Sequence, residues 1–268
     1  MRRYKYSAAG KSVAGAVKKI NEDTYFMKKA YFNGSEIMFA LVADGMGGVG
    51  HGMYASGLVA MDMSCWFYEE MEELFERSNF EEVLEQQWSR IIARTNEILN
   101  SGIVPCGGTT LAALLLYEGT YYAAGIGDSR IYLIEKNAEI AETITNDHSY
   151  AQQLIEEGRD ASSARRNPRG NQLTRCIGAG VSESFAEADF FAGTYSAGDS
   201  FLLCTDGQWQ SLDAAEIAEI MKGNGAAKAK LNLMCETALK REEQDNITAV
   251  AIEVAAKETK TADKTQQL

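Results

Sequence analysis

Three apolar runs, residues 109–117, 120–126 and 129–134, are parted only by Glu118-Gly119 and Gly127-Asp128. Links of this length cannot carry the crossover that parallel strands need, so the reading is an antiparallel meander with tight turns. Further strands are expected near residues 23–29, 36–44, 188–195, 200–204 and 247–254. Apolar residues recur at helical spacing over 53–75 and 80–100, parted by Arg77-Ser78-Asn79, and again over 150–157, 213–221 and 226–240. Residues 159–171 read as a mobile, arginine-rich loop, and 255–268, with almost nothing to bury, as a flexible C-terminal tail. Residues 1–254 show neither repeat nor linker and are read as one domain. Turn-linked strands with helices in separate pairs suggest an α+β fold in which helices cover an antiparallel β sandwich.

Composition narrows the function. The 268 residues can bury a substantial core, and a net charge of -12 argues against a nucleic-acid-binding surface, which needs a basic excess. The five cysteines, Cys65, Cys106, Cys176, Cys204 and Cys235, have neither zinc-site nor disulfide-framework spacing, which points to a reducing compartment. Residues 1–6 carry charge with no apolar run behind them, and no stretch approaches a membrane span, so the expectation is a cytoplasmic protein that engages no membrane.

Four aspartates fall where an apolar run meets a turn: Asp44 before Gly45, Asp128 in Gly127-Asp128-Ser129-Arg130, Asp206 before Gly207, and Asp245 before Asn246. One Asp-Gly is an ordinary turn former. Four at strand ends suggest convergence on a hard divalent cation, which prefers carboxylates, backbone carbonyls and water and relieves the repulsion among like charges. Gly45, Gly47 and Gly48 fit this, because bare backbone lets carbonyl oxygens approach an ion.

Asn21-Glu22-Asp23, Asp44-Gly45-Met46-Gly47-Gly48, Gly108-Thr109-Thr110, Gly127-Asp128-Ser129-Arg130, Asn171-Gln172-Leu173-Thr174-Arg175, Thr205-Asp206-Gly207 and Asp245-Asn246, in this order, resemble the PP2C (PPM) protein phosphatases of bacterial type. The resemblance spans residues 7–254 and implies a four-layer α-β-β-α sandwich of two antiparallel sheets flanked by helices. It also implies a centre of two Mn2+ or Mg2+ ions at one edge of the sheets. Asp44 would bridge both ions, the Gly45 carbonyl would bind the second, and Asp206 and Asp245 would complete the first. Glu22 and Asp23 would act through metal-bound waters, and Asp128 would help hold a weaker third ion. A water bridging the two ions would then attack phosphoserine or phosphothreonine in a protein directly, without a phosphoenzyme, in opposition to a Ser/Thr kinase.

The chain departs from the family in three places. Lys18 stands where the phosphate-contacting arginine is expected and offers a point charge in place of a fork, for which Lys19 or an arginine of 159–171 could compensate. Gln210 replaces an aspartate associated with the third ion. Val49 and Met53 replace a histidine and a glutamate.

Other readings compete. Cys235 and Arg241 have the six-residue spacing of a cysteine phosphatase, but the residues between them continue a helical pattern. His51 and His148, the only histidines, are read as loop or supporting residues in preference to proton carriers. The glycines at 45–50 lack the Gly-Lys-Ser/Thr ending of a nucleotide loop. Arg165, Arg166 and Arg169 form either a solvated loop or a phosphopeptide contact. A phosphatase for small phosphate esters, and a catalytically weak phosphoprotein-binding regulator with the same fold, remain as alternatives.

Overall fold

The computed structural model describes residues 4–47, 51–103 and 107–257. Strands Thr24–Phe32 and Ser35–Ala43 are joined by Asn33 and Gly34, both at positive φ (48° and 80°), as a two-residue hairpin turn requires. Ser35–Ala43 is buried along its whole length, so both of its faces must be covered. It lies in a five-stranded antiparallel sheet, ordered Asp189–Thr194, Thr120–Ile126, Leu111–Tyr117, Ser35–Ala43, Thr24–Phe32.

Phe39 on one face stacks on Phe67 (ring centroids 5.3 Å apart) and meets Trp66 and Trp88 at 5.4 and 6.0 Å, burying the faces of helices His51–Glu69 and Phe80–Asn100. Met38, Ala40 and Val42, on the opposite face, pack with Phe201, Leu203, Val250 and Ile252 of a second antiparallel sheet. That sheet runs Tyr4–Val13, Ile247–Ala256, Ser200–Cys204, Arg130–Ile134, Glu142–Thr143. Its outer face holds Leu202, Cys204, Ala249 and Ala251 against Ile217, Met221, Leu231 and Met234 of helices Ala214–Lys222 and Ala227–Lys240. The result is the α-β-β-α sandwich expected, with two sheets flanked by helices. A small third sheet of Gly45–Met46, Gly108–Thr109 and Ile177–Gly178 sits beside the first.

One sequence expectation fails in an informative way. Leu111–Tyr117 and Thr120–Ile126 do form a hairpin through Glu118-Gly119, but Arg130–Ile134 does not continue it. It crosses to the second sheet and pairs with Ser200–Cys204. Gly127 makes the corner at φ 91°, where an added Cβ would meet the Thr110 side chain at 2.5 Å. Ile131 and Leu133 then fill the space between the sheets while Tyr132 and Ile134 face the outer helices. A short link therefore fixed closeness in space and not strand pairing.

Tyr4–Val13 was not expected as a strand, because beyond Tyr4 and Tyr6 it is only partly buried. The first long helix stops at Glu69, followed by the single turn Met71–Leu74. Within 159–171 a short helix, Ala161–Arg165, is capped by the Asp160 side chain. The last strand reaches Ala256; residues 258–268 of the expected tail, with Val49 and Cys106, lie outside the described residues. Among the described residues no helix is long and apolar enough to cross a membrane.

Candidate functional site

The strand ends place the expected carboxylates at one edge of the two sheets. Glu22 and Asp23 immediately precede Thr24–Phe32, and Asp44 follows Ser35–Ala43, whose last residue pairs with Thr24. Asp128 sits in the corner between the sheets, Asp206 opens the one-turn helix after Ser200–Cys204, and Asp245 comes just before Ile247–Ala256.

Hydrogen bonds that the motifs did not announce hold this edge in place. The Asp44 N–H donates to Thr110 Oγ1 (2.9 Å), the Thr110 N–H donates to the Asp44 carbonyl (2.9 Å), and the Thr110 and Ser129 hydroxyls bond at 2.6 Å. Glu22 is fixed at three points. Its N–H donates to Asn246 Oδ1 (3.0 Å), its Oε1 accepts from the Gly52 N–H (3.1 Å), and its carbonyl accepts from the Ser56 hydroxyl (2.6 Å). A Cβ on Gly45 would lie 2.3 Å from the Gly52 carbonyl oxygen and 2.4 Å from that of Glu22, so this crossing admits only glycine. Thr205 Oγ1 donates to Asp23 Oδ2 (2.9 Å), and Gln210 Nε2 donates to Asp206 Oδ2 (3.0 Å). Trp209 Nε1 holds the Asp128 carbonyl at 2.9 Å, and Arg130, paired with Asp147 at 2.6 Å, stacks over the Trp209 ring at 3.5 Å. Thr110 and Asn246 belong to the motifs quoted above. Thr205 belongs to them as well, whereas Trp209 and Asp147 gave no sequence signal for these contacts, because each acts across the fold.

The electrostatics follow from putting these groups together. Burial is the main cause that lifts the Asp44 and Asp128 carboxyls well above the usual range and Asp23 and Asp206 to about 6. Repulsion from the other carboxylates adds to it: Asp23, Asp206, Asp128 and Asp245 act on Asp44, and Asp245 on Asp206. Lys18, the expected phosphate contact, pairs with Asp245 through Nζ–Oδ1 at 2.9 Å, both half-exposed. Burial opposes the Lys18 charge, but Asp245, with Asp44 and Glu22 beyond it, outweighs burial and raises the ammonium pKa.

The donor set fits divalent cations. Four buried side-chain polar atoms lack a hydrogen-bond partner among the described residues, and two of them are Asp23 Oδ1 and Asp206 Oδ1. Buried unpaired oxygens on like-charged neighbours are costly unless a cation meets them. Among the described residues no three His, Cys, Asp or Glu side chains enclose an ion on their own. Coordination here would draw on backbone carbonyls and water as well, as hard cations accept.

The competing motifs dissolve. Cys235 is buried in Ala227–Lys240, its thiol pushed up by burial and turned to Gln208 Oε1 at 3.8 Å, while Arg241 pairs with Glu216. His148 Nδ1 accepts from the Gly127 N–H (3.2 Å), which leaves Nε2–H to donate to Asp189 Oδ2 (3.1 Å), so this imidazole braces the corner. His51 opens the first long helix, and Met53 lies exposed on it. Arg169 lies over the Tyr150 ring at 4.9 Å and donates from Nε to Gln172 Oε1 (3.0 Å).

The family model for Protein phosphatase 2C matches residues 15–249. A serine/threonine phosphatase stp from Listeria welshimeri is 29% identical over 247 residues, covering 89% of this chain and 92% of its own. Stp1 from Staphylococcus aureus, a solved serine/threonine phosphatase, superposes with a TM-score of 0.77 at 24% identity, over 97% of this chain and 98% of its own. The catalytic domain of the serine threonine protein phosphatase PstP, solved with 2 manganese ions, gives a TM-score of 0.73 at 24% identity, over 94% and 99%. With the family match running through every carboxylate of this edge, the chain belongs to the protein phosphatase 2C family.

Proposed function

We propose that this protein phosphatase hydrolyses phosphoserine and phosphothreonine in protein substrates at the carboxylate edge, with two Mn2+ or Mg2+ ions held by Asp44, the Gly45 carbonyl, Asp206 and Asp245. One observation carries the reading: aspartates from four separate strand ends meet there, with the buried oxygens Asp23 Oδ1 and Asp206 Oδ1 left unpaired. The relatives named serine/threonine phosphatase and the PstP domain solved with manganese support it. Bound there, such ions would activate a water for direct attack on phosphorus and neutralise the phosphoryl oxygens.

The chain's own residues supply position and charge. Thr110 holds both the N–H and the C=O of Asp44, and Asn246 and Gly52 hold Glu22 so that its carbonyl borders the Gly45 crossing. Thr205 orients Asp23. Lys18, held at the edge by Asp245, can meet a phosphate oxygen as a point charge. Gln210 gives Asp206 a hydrogen bond where a carboxylate would give a third ion a ligand, so Asp128 would hold such an ion with little help. A cytoplasmic setting opposite a Ser/Thr kinase completes the reading. The retention of Asp44, Asp206 and Asp245 together speaks against a catalytically weak regulator.

The test is hydrolysis of a phosphothreonine peptide with manganese, with magnesium and with chelator, by the wild type, Asp206→Ala and Cys235→Ser. Turnover that requires metal, disappears in Asp206→Ala and survives in Cys235→Ser is the expected result. No turnover under any metal would overturn the proposal.

A further inference from the structure

Beside the carboxylates opens a cavity of about 690 Å3, within the size range of ligand-binding clefts. Asp128 and Gln210 belong both to its lining and to the carboxylate edge, so the cavity borders that edge. One wall is apolar or aromatic, with Tyr132, Ile155 and Trp209, and Arg165 and Asn171 face it from the 159–171 segment.

The charges lining the cavity are mostly spoken for. Arg130 pairs with Asp147 and stacks on Trp209, and Arg241 pairs with Glu216. The Asp213 carboxylate caps helix Ala214–Lys222 by accepting from the N–H groups of Ala215 and Glu216. Of the three lining arginines, only Arg165 has no carboxylate partner among the described residues. On a chain with net charge -12, one uncommitted cation facing a cavity is a selective feature, because an acidic segment is repelled by most of the remaining surface.

We propose that this cavity receives the polypeptide beside the phosphorylated residue, and that Arg165 selects an acidic side chain there. The proposal rests on the reading that phosphoproteins are the substrate. A phosphate held at the carboxylate edge leaves the flanking chain to run past Asp128 and Gln210 onto the Trp209 wall. Arg165 is then met by an Asp or Glu a few residues from the phosphate.

The experiment compares phosphothreonine peptides carrying a single glutamate at successive flanking positions, a glutamate-free peptide, and p-nitrophenyl phosphate, all with manganese. The wild type prefers glutamate at one position by about three- to tenfold in kcat/KM, carried by KM, as befits one partly exposed ion pair. The preference shrinks as salt is raised. Arg165→Ala removes it and Arg165→Lys restores part of it, with p-nitrophenyl phosphate turnover changed by less than about twofold. Ala151→Trp, which fills the cavity, lowers kcat/KM for every peptide and spares p-nitrophenyl phosphate. A wild type with no positional preference, or an Arg165→Ala variant that keeps it, overturns the assignment. A wild type that hydrolyses p-nitrophenyl phosphate and no phosphopeptide overturns the protein-phosphatase reading as well, whereas active wild type matched by its variants overturns the cavity alone.

Discussion

Replacing Asp206 by asparagine should stabilise the protein in chelator while destroying its activity. Burial and the repulsion of Asp245 push the Asp206 carboxyl from 3.8 to about 6 in the folded protein. Holding it ionised at pH 7.5 therefore costs on the order of 3 kcal/mol relative to the unfolded chain. Because the folded-state pKa is the higher one, the stability that the protonated form provides is complete below the unfolded value near 4 and is lost as pH rises through about 6. Asparagine keeps the shape and can still accept the Gln210 Nε2–H bond, but never ionises. Burying its amide returns about 1 kcal/mol, which leaves a gain of about 2 kcal/mol, or about 4–8 °C in Tm for a chain of this size. Differential scanning calorimetry in chelator at pH 7.5 reads this directly, and the advantage should fall to about a third at pH 5. Added manganese should reverse the order, since the wild type gains about 2.7 kcal/mol at a hundredfold excess over Kd and the variant gains less. A variant no more stable than the wild type in chelator at pH 7.5, or one with the same manganese-induced rise in Tm, would refute the argument.

Two further outcomes follow from the packing. Gly45→Ala should destabilise the protein by more than about 2 kcal/mol in urea unfolding and flatten its manganese-induced Tm shift, because its Cβ would overlap the carbonyls of Gly52 and Glu22; an unchanged shift would show that this crossing does not shape the edge. Phe39→Ala should cost about 3–5 kcal/mol, since the ring fills the space among Trp66, Phe67 and Trp88, and should leave KM for a phosphopeptide near the wild-type value wherever the protein remains folded.

Part of the edge was readable in advance because its pattern is local: Asp44 and Asp206 each close an apolar run and are followed by glycine, and Asp128 and Asp245 each fall in a turn beside such a run. Ser200–Cys204 appeared at its true bounds for the same reason, as five apolar or small residues between turns. What could not be read was pairing. A two-residue period says which faces of Arg130–Ile134 are buried and not which sheet it joins; the corner that sends it to the second sheet turns at Gly127, at a positive φ and beside Thr110 where no side chain fits. Tyr4–Val13 escaped notice because its partner, Ile247–Ala256, supplies most of the order it has. The bond of Lys18 to Asp245 was not readable either, because it depends on how residues 14–23 lie against the turn before the last strand, with Ala16 N–H donating to the Glu243 carbonyl (2.8 Å).

The pairing of Tyr4–Val13 with Ile247–Ala256 has a consequence for the order in which the molecule can be made. The second sheet cannot be completed until residues from almost opposite ends of the described chain have met, and Ile247–Ala256 lies between Tyr4–Val13 and Ser200–Cys204. Asp245 arrives with that same strand, and Asn246 beside it is what grips the backbone of Glu22. During synthesis the helix-covered first sheet can form early. Such long-range closure is slow compared with local pairing. The carboxylates are assembled only after Ile247–Ala256 emerges, so a nascent or truncated chain lacks the finished carboxylate edge.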